Sequence, residues 1–481
     1  MTCFGRALEV KVMTNWTHLW QDLTPESLAA TVRRSSRSKS YGQLSAYELE
    51  RLENIRQNQA FLSSINLFQV GSTCCHTKTH FYTLQTNHVT VKPSQIKILF
   101  LTCFPSSKSS PAKKPSGPLP MEAINMAEDY KLPPPLLELL SEVLLIYFYF
   151  AIKPFGCRYT SELKDMKITE EKVVKVVKDR IFSAAFHPCS SSLLMAAGDK
   201  WGKVGLWNLG GVWGDDGVLL FEPHTRPVGC MAFSTARPTQ LLSLSYDGSL
   251  RCMDVEKAVF DDVYDIEDGL KTFAFMSHDC NTLVVGDWYG EVAIVDRRTP
   301  GNSHESLHTL DTKTLRCVSV HPLQMQYFAV AESRAVNIYD SRCLKKTKSK
   351  AVSLLQGHTL GVSSAYFSPC SGNRVLTSYV IVLLWSRAAS FLCRSHRHDM
   401  QTGRWLSKLS AVWDPKQEDC FVVGSMMRPR RVQVFHESGR LLHSFMDSEN
   451  LNTVLSVTAF HPTRNAVLGG NASGRLHVFA S

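Results

Sequence analysis

The stretch Leu283–Arg298, LVVGDWYGEVAIVDRR, decides the fold. Its apolar run Leu283-Val284-Val285 meets a turn at Gly286-Asp287. A second turn at Tyr289-Gly290 leads into the alternating run Val292-Ala293-Ile294-Val295, which ends on Asp296. Two strands joined by a tight Gly-bearing turn and closed by an Asp spell a β-hairpin. A lone hairpin is marginal in water, so this unit needs neighbours.

Those neighbours are further copies of itself. Each copy opens on an apolar strand ending in an aromatic residue or Val, usually followed by a polar residue and Pro. The copies are SAAFHP at Phe186, CMAFST at Phe233, KTFAFM at Phe275, CVSVHP at Val320, SAYFSP at Phe367, SAVWDP at Trp413 and VTAFHP at Phe460. Successive copies are 47, 42, 45, 47, 46 and 47 residues apart. Most continue with a second strand, a turn and a third strand, as in LLMAAGDKWGKVGLWN, LLSLSYDGSLRCMD, YFAVAESRAVNIYD and AVLGGNASGRLHVF. A period of this length, with about four strands per unit, belongs to a β-propeller; a pair of stacked sandwiches would not repeat so regularly. The sequence therefore predicts an all-β, seven-bladed propeller over residues 168–481. The last copy stops at Phe479, after its third strand. An open sheet edge is a liability, so the alternating segment Lys172–Val177 is expected to close the ring as a strand in the last blade. An amphipathic helix begun at Glu170-Glu171 is the competing reading.

Composition sets the class. The chain has 481 residues, 44% apolar and 20% charged, ample for a globular core. Fourteen Cys follow no framework, and no basic-then-apolar leader opens the chain, so an intracellular, reduced protein is expected. The net charge of +10 is unevenly spread: residues 1–180 carry 23 basic and 16 acidic residues, residues 181–340 carry 12 and 20, and residues 341–481 carry 18 and 7. The propeller thus has an acidic half and a basic half. A basic sector is the footprint of a polyanion partner, although five of its charges lie in one run, Arg342 to Lys350.

Ahead of the repeats the signals are weaker. Residues 1–40 read as a disordered basic tail with the run RRSSRSKS, Arg33–Ser40. Residues 41–69 hold one amphipathic helix: Leu49, Leu52, Ile55, Gln59 and Leu62 share a stripe, and Ser45 with Glu48 form a capping box. Residues 70–167 read as a low-order region. Within it Cys74-Cys75-His76 and His80 lack paired zinc knuckles. Ser106–Pro120 is a linker by composition. Leu136–Ile152 is short for a membrane span and contains Glu138 and Glu142, so a buried segment is expected and no membrane partner.

Several strings carry a family resemblance: AFHP, GDKWGKVGLW, LLSLSYDGSLRCMD, DRRTPG, AYFSPCSGNRVLT, TGRW, WDPKQEDC and AFHPTRNAVLGGNASGRLHVF. Together with RLENIRQNQAFLSSINL they resemble the WD repeat-containing protein 76 family and its fungal DNA-damage-binding relatives, cousins of the small subunit of the ultraviolet-damaged-DNA-binding complex. The resemblance covers about residues 40–69 and 170–481. Residues 70–160 match nothing in the family. In the fifth copy, TSYVIVLLWSRAASFLCRSHRHDM replaces the expected turn and third strand.

The resemblance implies two surfaces. In WD-repeat substrate receptors, Asp-x-Arg boxes mark docking to the adaptor of a cullin–RING ubiquitin ligase; here they are Asp296 with Arg298 and Asp340 with Arg342. The Asp can hold a turn backbone while the Arg presents a planar donor fork. In the damaged-DNA-binding cousin, a loop ahead of a late blade enters the duplex; the matching residues are Arg404 and Trp405, with Arg397 upstream. Lys200 and Trp201 on the first copy's turn, and Arg428, Arg430 and Arg431 on the sixth copy's turn, complete the expected DNA surface. Cations take phosphates and an aromatic can wedge between bases. There is no P-loop, paired CxxC or nucleophile motif, so neither an enzyme nor a cofactor is expected. The His-Pro pairs at His187, His321 and His461 are read as turn residues.

The expected protein is a nuclear, double-stranded-DNA-binding propeller acting on damaged or altered DNA, a substrate receptor of a cullin–RING ligase in contact with chromatin proteins. The alternative is a chromatin-associated scaffold with no direct DNA contact. Salt-dependent duplex binding separates the two.

Overall fold

The computed structural model describes helical Arg56 and residues 114–126, 132–141 and 157–481, apart from 215, 313, 359–360, 379–380, 387–390, 398–401 and 404. Side chains of 157–158 and of the two strands between 381 and 397 are also outside the description. The expectations for the tail 1–40, for the 41–69 helix beyond Arg56 and for the Cys74–His80 cluster lie outside the described residues.

The protein is an all-β WD-repeat propeller. Its described strands form seven antiparallel sheets, six of four strands and one of five. The first strands of the sheets are Ile181–Phe186, Val228–Phe233, Leu270–Phe275, Cys317–Val320, Ser364–Phe367, Val412–Trp413 and Val457–Phe460. Each ends on the residue from which the sequence period was counted. These strands meet in succession from the first sheet to the fifth, the sixth meets the seventh, and the seventh returns to the first; between the fifth and sixth, Trp413 Nε1 donates to Tyr366 O at 3.0 Å. They therefore line a central channel.

In the deciding stretch, Thr282–Asp287 pairs with Glu291–Asp296 in the register Val284 to Ile294. Leu283, Val284, Val285 and Val292 are fully or almost fully buried. They pack against different neighbours: Leu283 and Val285 lie with the second sheet, and Val284 and Val292 with the fourth. Alternate residues of a strand point to opposite faces, and here both faces are covered. That is why the run reads as nearly continuous apolar sequence.

The polar interior is tied internally. His224 hydrogen-bonds Ser249 Oγ and Ser243 Oγ at 2.8 Å each, and Asp247 accepts from the Ser249 hydroxyl at 2.6 Å. The His-Pro histidines act in turns. His187 Nδ1 accepts the Cys189 amide, His321 Nδ1 those of Leu323 and Gln324, and His461 Nδ1 those of Thr463 and Arg464.

The seventh sheet takes its outer strand from the other end of the chain. Val173–Lys175 pairs antiparallel with Arg475–Ala480, Val174 opposite Leu476. Glu170–Lys172 ahead of it is a 3₁₀ turn, so the strand holds three residues rather than six. In the fifth sheet, Ile381–Ser386 and Phe391–Arg397 both form strands despite the missing turn residues.

For the described residues 114–126, 132–141 and 157–167, the linker and low-order readings need correction. Leu119–Pro120 adds a fifth strand to the second sheet, against Val259–Phe260. Ile124 and Asn125 then bond the outer strand of the first sheet: Ile124 N donates to Leu220 O at 2.8 Å, and Asn125 bridges Val218 O and Leu220 N. Buried Arg251 reaches out from the second sheet to Pro115 O at 2.5 Å and pairs with Asp262 at 2.9 Å. Helix α1, Pro134–Ser141, buries Leu136 and Leu140 beside Phe221 and Phe260. Helix α2, Cys157–Asp165, buries Tyr159 and Leu163 beside Cys420 and Phe445. Pro- and Ser-rich composition signals a linker only when no exposed sheet edge lies within reach; here two such edges are covered by this segment. Among the described residues no helix is long and apolar enough to cross a membrane.

Candidate nucleic-acid interface

Strand polarity sorts the connections onto two faces. Turns between the second and third strands of each sheet share a face with the loops that enter each first strand. Turns between third and fourth strands lie on the opposite face.

On the entry face the turns are built by one device. Asp199 Oδ1 accepts the amides of Trp201 and Lys203 at 2.8 and 3.0 Å. Asp287 Oδ1 accepts those of Tyr289 and Glu291 at 2.9 and 2.7 Å, and Asn471 Oδ1 those of Ser473 and Arg475 at 2.9 Å each. A side-chain acceptor that closes its own turn is an Asx motif. Gly202 and Gly290 follow at φ of 93°, a left-handed conformation that favours glycine. The device turns the residues between outward. Trp201 is 56% exposed, Trp288 43% and Tyr289 70%.

Around the channel mouth on this face, aromatic rings alternate with cations across three sheets. Phe182 meets Tyr246 edge-on at 6.0 Å, and Tyr246 meets Trp288 at 5.1 Å. The Arg180 guanidinium lies 4.7 Å over Phe182. Lys271 Nζ lies 4.4 Å from the Tyr246 ring centre and 4.7 Å from that of Trp288, and donates to the Tyr246 hydroxyl. Burial pushes the Lys271 ammonium down to about 8, and Arg316 adds repulsion. Arg316 precedes the first strand of the fourth sheet, and its Nη1 donates to Val362 O at 3.4 Å. Lys408 enters from the loop ahead of the sixth sheet, where desolvation, then Arg316 and Lys271, lower its pKa. The same loop is anchored by Ser407, whose hydroxyl donates to Ile181 O at 2.5 Å.

Of the residues expected to bind DNA, Lys200, Trp201, Arg397, Trp405, Arg428, Arg430 and Arg431 lie on this entry face. Lys200 Nζ stacks 4.5 Å over the Trp201 ring, and the indole N–H of Trp201 donates to Asp179 at 3.0 Å. Trp405, 58% exposed, stands in the loop that carries Ser407 and Lys408. Arg428 is exposed; Arg430 donates to Met426 O at 2.6 Å and Arg431 to Pro429 O at 3.0 Å, so both brace their own turn. Arg397 ends the outer strand of the fifth sheet, its side chain outside the description, and Arg404 is itself outside the described residues. The sequence reading missed Arg180, Lys271, Arg316 and Lys408. Their signal was available: all four sit four to six residues ahead of the counted position in their own copies, Phe186, Phe275, Val320 and Trp413.

The Asp-x-Arg boxes lie on the opposite face, each at the end of a third strand. Asp296 Oδ1 accepts the Arg298 amide at 2.9 Å, and Asp340 Oδ1 the Arg342 amide at 3.0 Å. Each Arg also turns its fork back onto its own Asp. Arg298 Nη2 lies 2.6 Å from Asp296, and Arg342 Nη2 2.6 Å from Asp340. The bound guanidinium holds each carboxyl below its ordinary range. One edge of each fork is thus occupied, so the Arg presents less than the free fork expected from sequence. Beside Arg298 a groove of about 590 Å³ runs between the second and third sheets, lined by Arg237, Lys257, Asp261, Arg297 and Asn302. Among the described residues no cluster of His, Cys, Asp and Glu could hold a metal ion.

No family model matches the chain. Individual proteins do. The chain is 43% identical over 469 residues to WD repeat-containing protein 76 of Xenopus laevis, across 91% of this chain and 80% of that protein. It is 38% identical over 505 residues to WD repeat-containing protein 76 of Mus musculus, across 98% and 81%. It is 28% identical over 344 residues to DNA damage-binding protein CMR1 of Scheffersomyces stipitis, across 64% and 65%.

Proposed function

The chain belongs to the WD repeat-containing protein 76 family, and on that premise we propose that it binds double-stranded DNA, damaged or altered, through one face of a closed seven-bladed ring, while the opposite face docks the adaptor of a cullin–RING ubiquitin ligase. Seven sheets whose first strands meet in succession support the ring. The fungal relatives are DNA damage-binding proteins by name, which supports the ligand.

The observation that carries the reading is the gathering of Lys200, Trp201, Trp405 and the Arg428–Arg431 turn on the entry face. Cations there can take phosphates and fix the register of the duplex. An exposed indole such as Trp405 can enter a base step that a lesion has already weakened. The Asp296–Arg298 and Asp340–Arg342 boxes, in neighbouring sheets on the other face, leave the adaptor clear of the DNA. In this reading the protein works in the nucleus among chromatin proteins as a substrate receptor, and the ring performs no catalysis.

The test is binding of the full chain to plain and ultraviolet-irradiated duplex across a salt series. About four phosphate contacts give a slope of roughly −3 to −4 in log affinity against log salt. Tighter binding to the irradiated duplex is expected. A folded chain that binds neither duplex overturns the reading and leaves a scaffold that meets chromatin through proteins.

A further inference from the structure

The basic residues of the outer rim could serve any duplex. The channel mouth is more particular. Lys271, Arg316 and Lys408 converge there from the third and fourth sheets and the loop before the sixth. Among the described residues, the groups that act on the Lys271 charge are Cys317, Cys230 and Arg316, and those that act on Lys408 are Arg316 and Lys271, with no carboxylate among them. Several partly buried cations elsewhere among the described residues are paired to a carboxylate. Arg251 pairs with Asp262, Arg374 with Glu437, and Lys416 with Asp414. Like charges gathered around the partly buried Lys271 ammonium are costly unless an anion completes the group.

The surroundings specify the anion. Lys271 sits against the Tyr246 and Trp288 rings, and Trp288, Tyr289 and Trp405 offer exposed aromatic surface on the same face. Cations that track a backbone, interleaved with aromatic platforms on which bases stack, form the pattern that holds single strands. A base in an intact duplex is stacked on both sides and has no free face for these rings. An acidic peptide would satisfy the cations and leave the aromatic platforms unused.

We propose that the channel mouth is a single-strand site: a phosphate of unpaired nucleic acid seats on Lys271, Arg316 and Lys408, and its flanking bases stack on Trp288 and Trp405. This rests on the DNA-binding reading of the entry face and sharpens it. Preference for altered duplex then follows from the unpaired nucleotides that the alteration exposes.

The experiment compares an oligothymidylate of about 20 nucleotides with a plain duplex of equal length. Both are titrated by fluorescence anisotropy into the full-length protein, its Lys271→Gln/Lys408→Gln variant and an Arg428→Gln/Arg431→Gln variant. The wild type is expected to favour the single strand by about tenfold. The channel variant should lose about tenfold on the single strand, with a salt slope shallower by about 1.4 for two lost phosphate contacts, and hold its duplex affinity. The rim variant should weaken both ligands. Equal single-strand and duplex affinity, with the channel variant unchanged on both, overturns the single-strand site and leaves duplex binding intact. Binding of neither ligand removes the DNA reading as well. Polyglutamate that displaces the labelled oligothymidylate at lower charge concentration than unlabelled oligothymidylate does would assign the site to an acidic protein instead. Lys408→Gln alone, at an exposed position, keeps the test valid if the double variant does not fold.

Discussion

The Tyr159 hydroxyl donates to a carboxylate oxygen of Asp414 at 2.7 Å, both groups buried and 255 residues apart. This bond fastens helix α2 to the sixth sheet. The other oxygen of Asp414 is held by Lys416, through Nζ and the backbone amide, each at 2.9 Å. Tyr159→Phe removes one donor and leaves part of a buried carboxylate unsatisfied. Hydrogen bonds to charged groups are worth about 1.5–3 kcal/mol, so a loss in that range is expected in urea unfolding. An unchanged midpoint would mean that α2 does not depend on this bond.

Leu136 is fully buried in the cluster that joins the first and second sheets. If α1 belongs to the folded unit, Leu136→Ala costs about 2–5 kcal/mol, as cavity-forming substitutions do. A mere appendage would tolerate the change, and thermal melting would not move.

At Gly202 a Cβ would lie 2.2 Å from the His224 carbonyl oxygen, and φ is 93°. Gly202→Ala should destabilise by more than about 1 kcal/mol, the usual scale for such positions, and displace the turn that presents Trp201. Differential scanning fluorimetry together with Trp emission reads both effects.

Burial drives the pKa of His187 and His477 down to about 4 and that of His461 to about 3. Unfolded histidine takes up its proton near 6.5, whereas these resist until well below that. Stability is therefore full above about pH 6.5 and falls as pH drops from there toward 4, because the unfolded chain binds more protons across that window. Urea midpoints at about pH 7.5 and 5 check the sign; equal midpoints would contradict it.

Arg298 and Arg342 keep nearly two thirds of their side-chain surface exposed while paired to their own Asp. Arg298→Ala with Arg342→Ala should abolish copurification of the ligase adaptor and leave the melting temperature within about a degree, as expected for exposed ion pairs. Retention of the adaptor by a folded double variant would sink the docking assignment.

The repeat was legible because it is a local pattern written many times. Leu283–Asp296 gives its own strands, its turn and its burial, and the other copies supply the partners that cover both faces. The pairing of Val173–Lys175 with the last strand could be foreseen from the missing fourth strand of the final copy. Local signals failed where docking decides. Leu119–Pro120 and the helices at Pro134–Ser141 and Cys157–Asp165 are too short to show a period, and they are held by sheet edges and buried residues far along the chain, from Phe221 to Phe445. The channel mouth failed for another reason. Arg180, Lys271, Arg316 and Lys408 are single charges scattered over more than two hundred residues, unremarkable one by one. The sequence alone determined that the chain must build repeated hairpins facing a shared core, because apolar periodicity and turn chemistry are properties of neighbouring residues. Only the tertiary structure decided which cations meet, which aromatics stand beside them, and that the Asp-x-Arg boxes face the other way. Those are properties of packing between repeats, which brings the same position of successive sheets side by side.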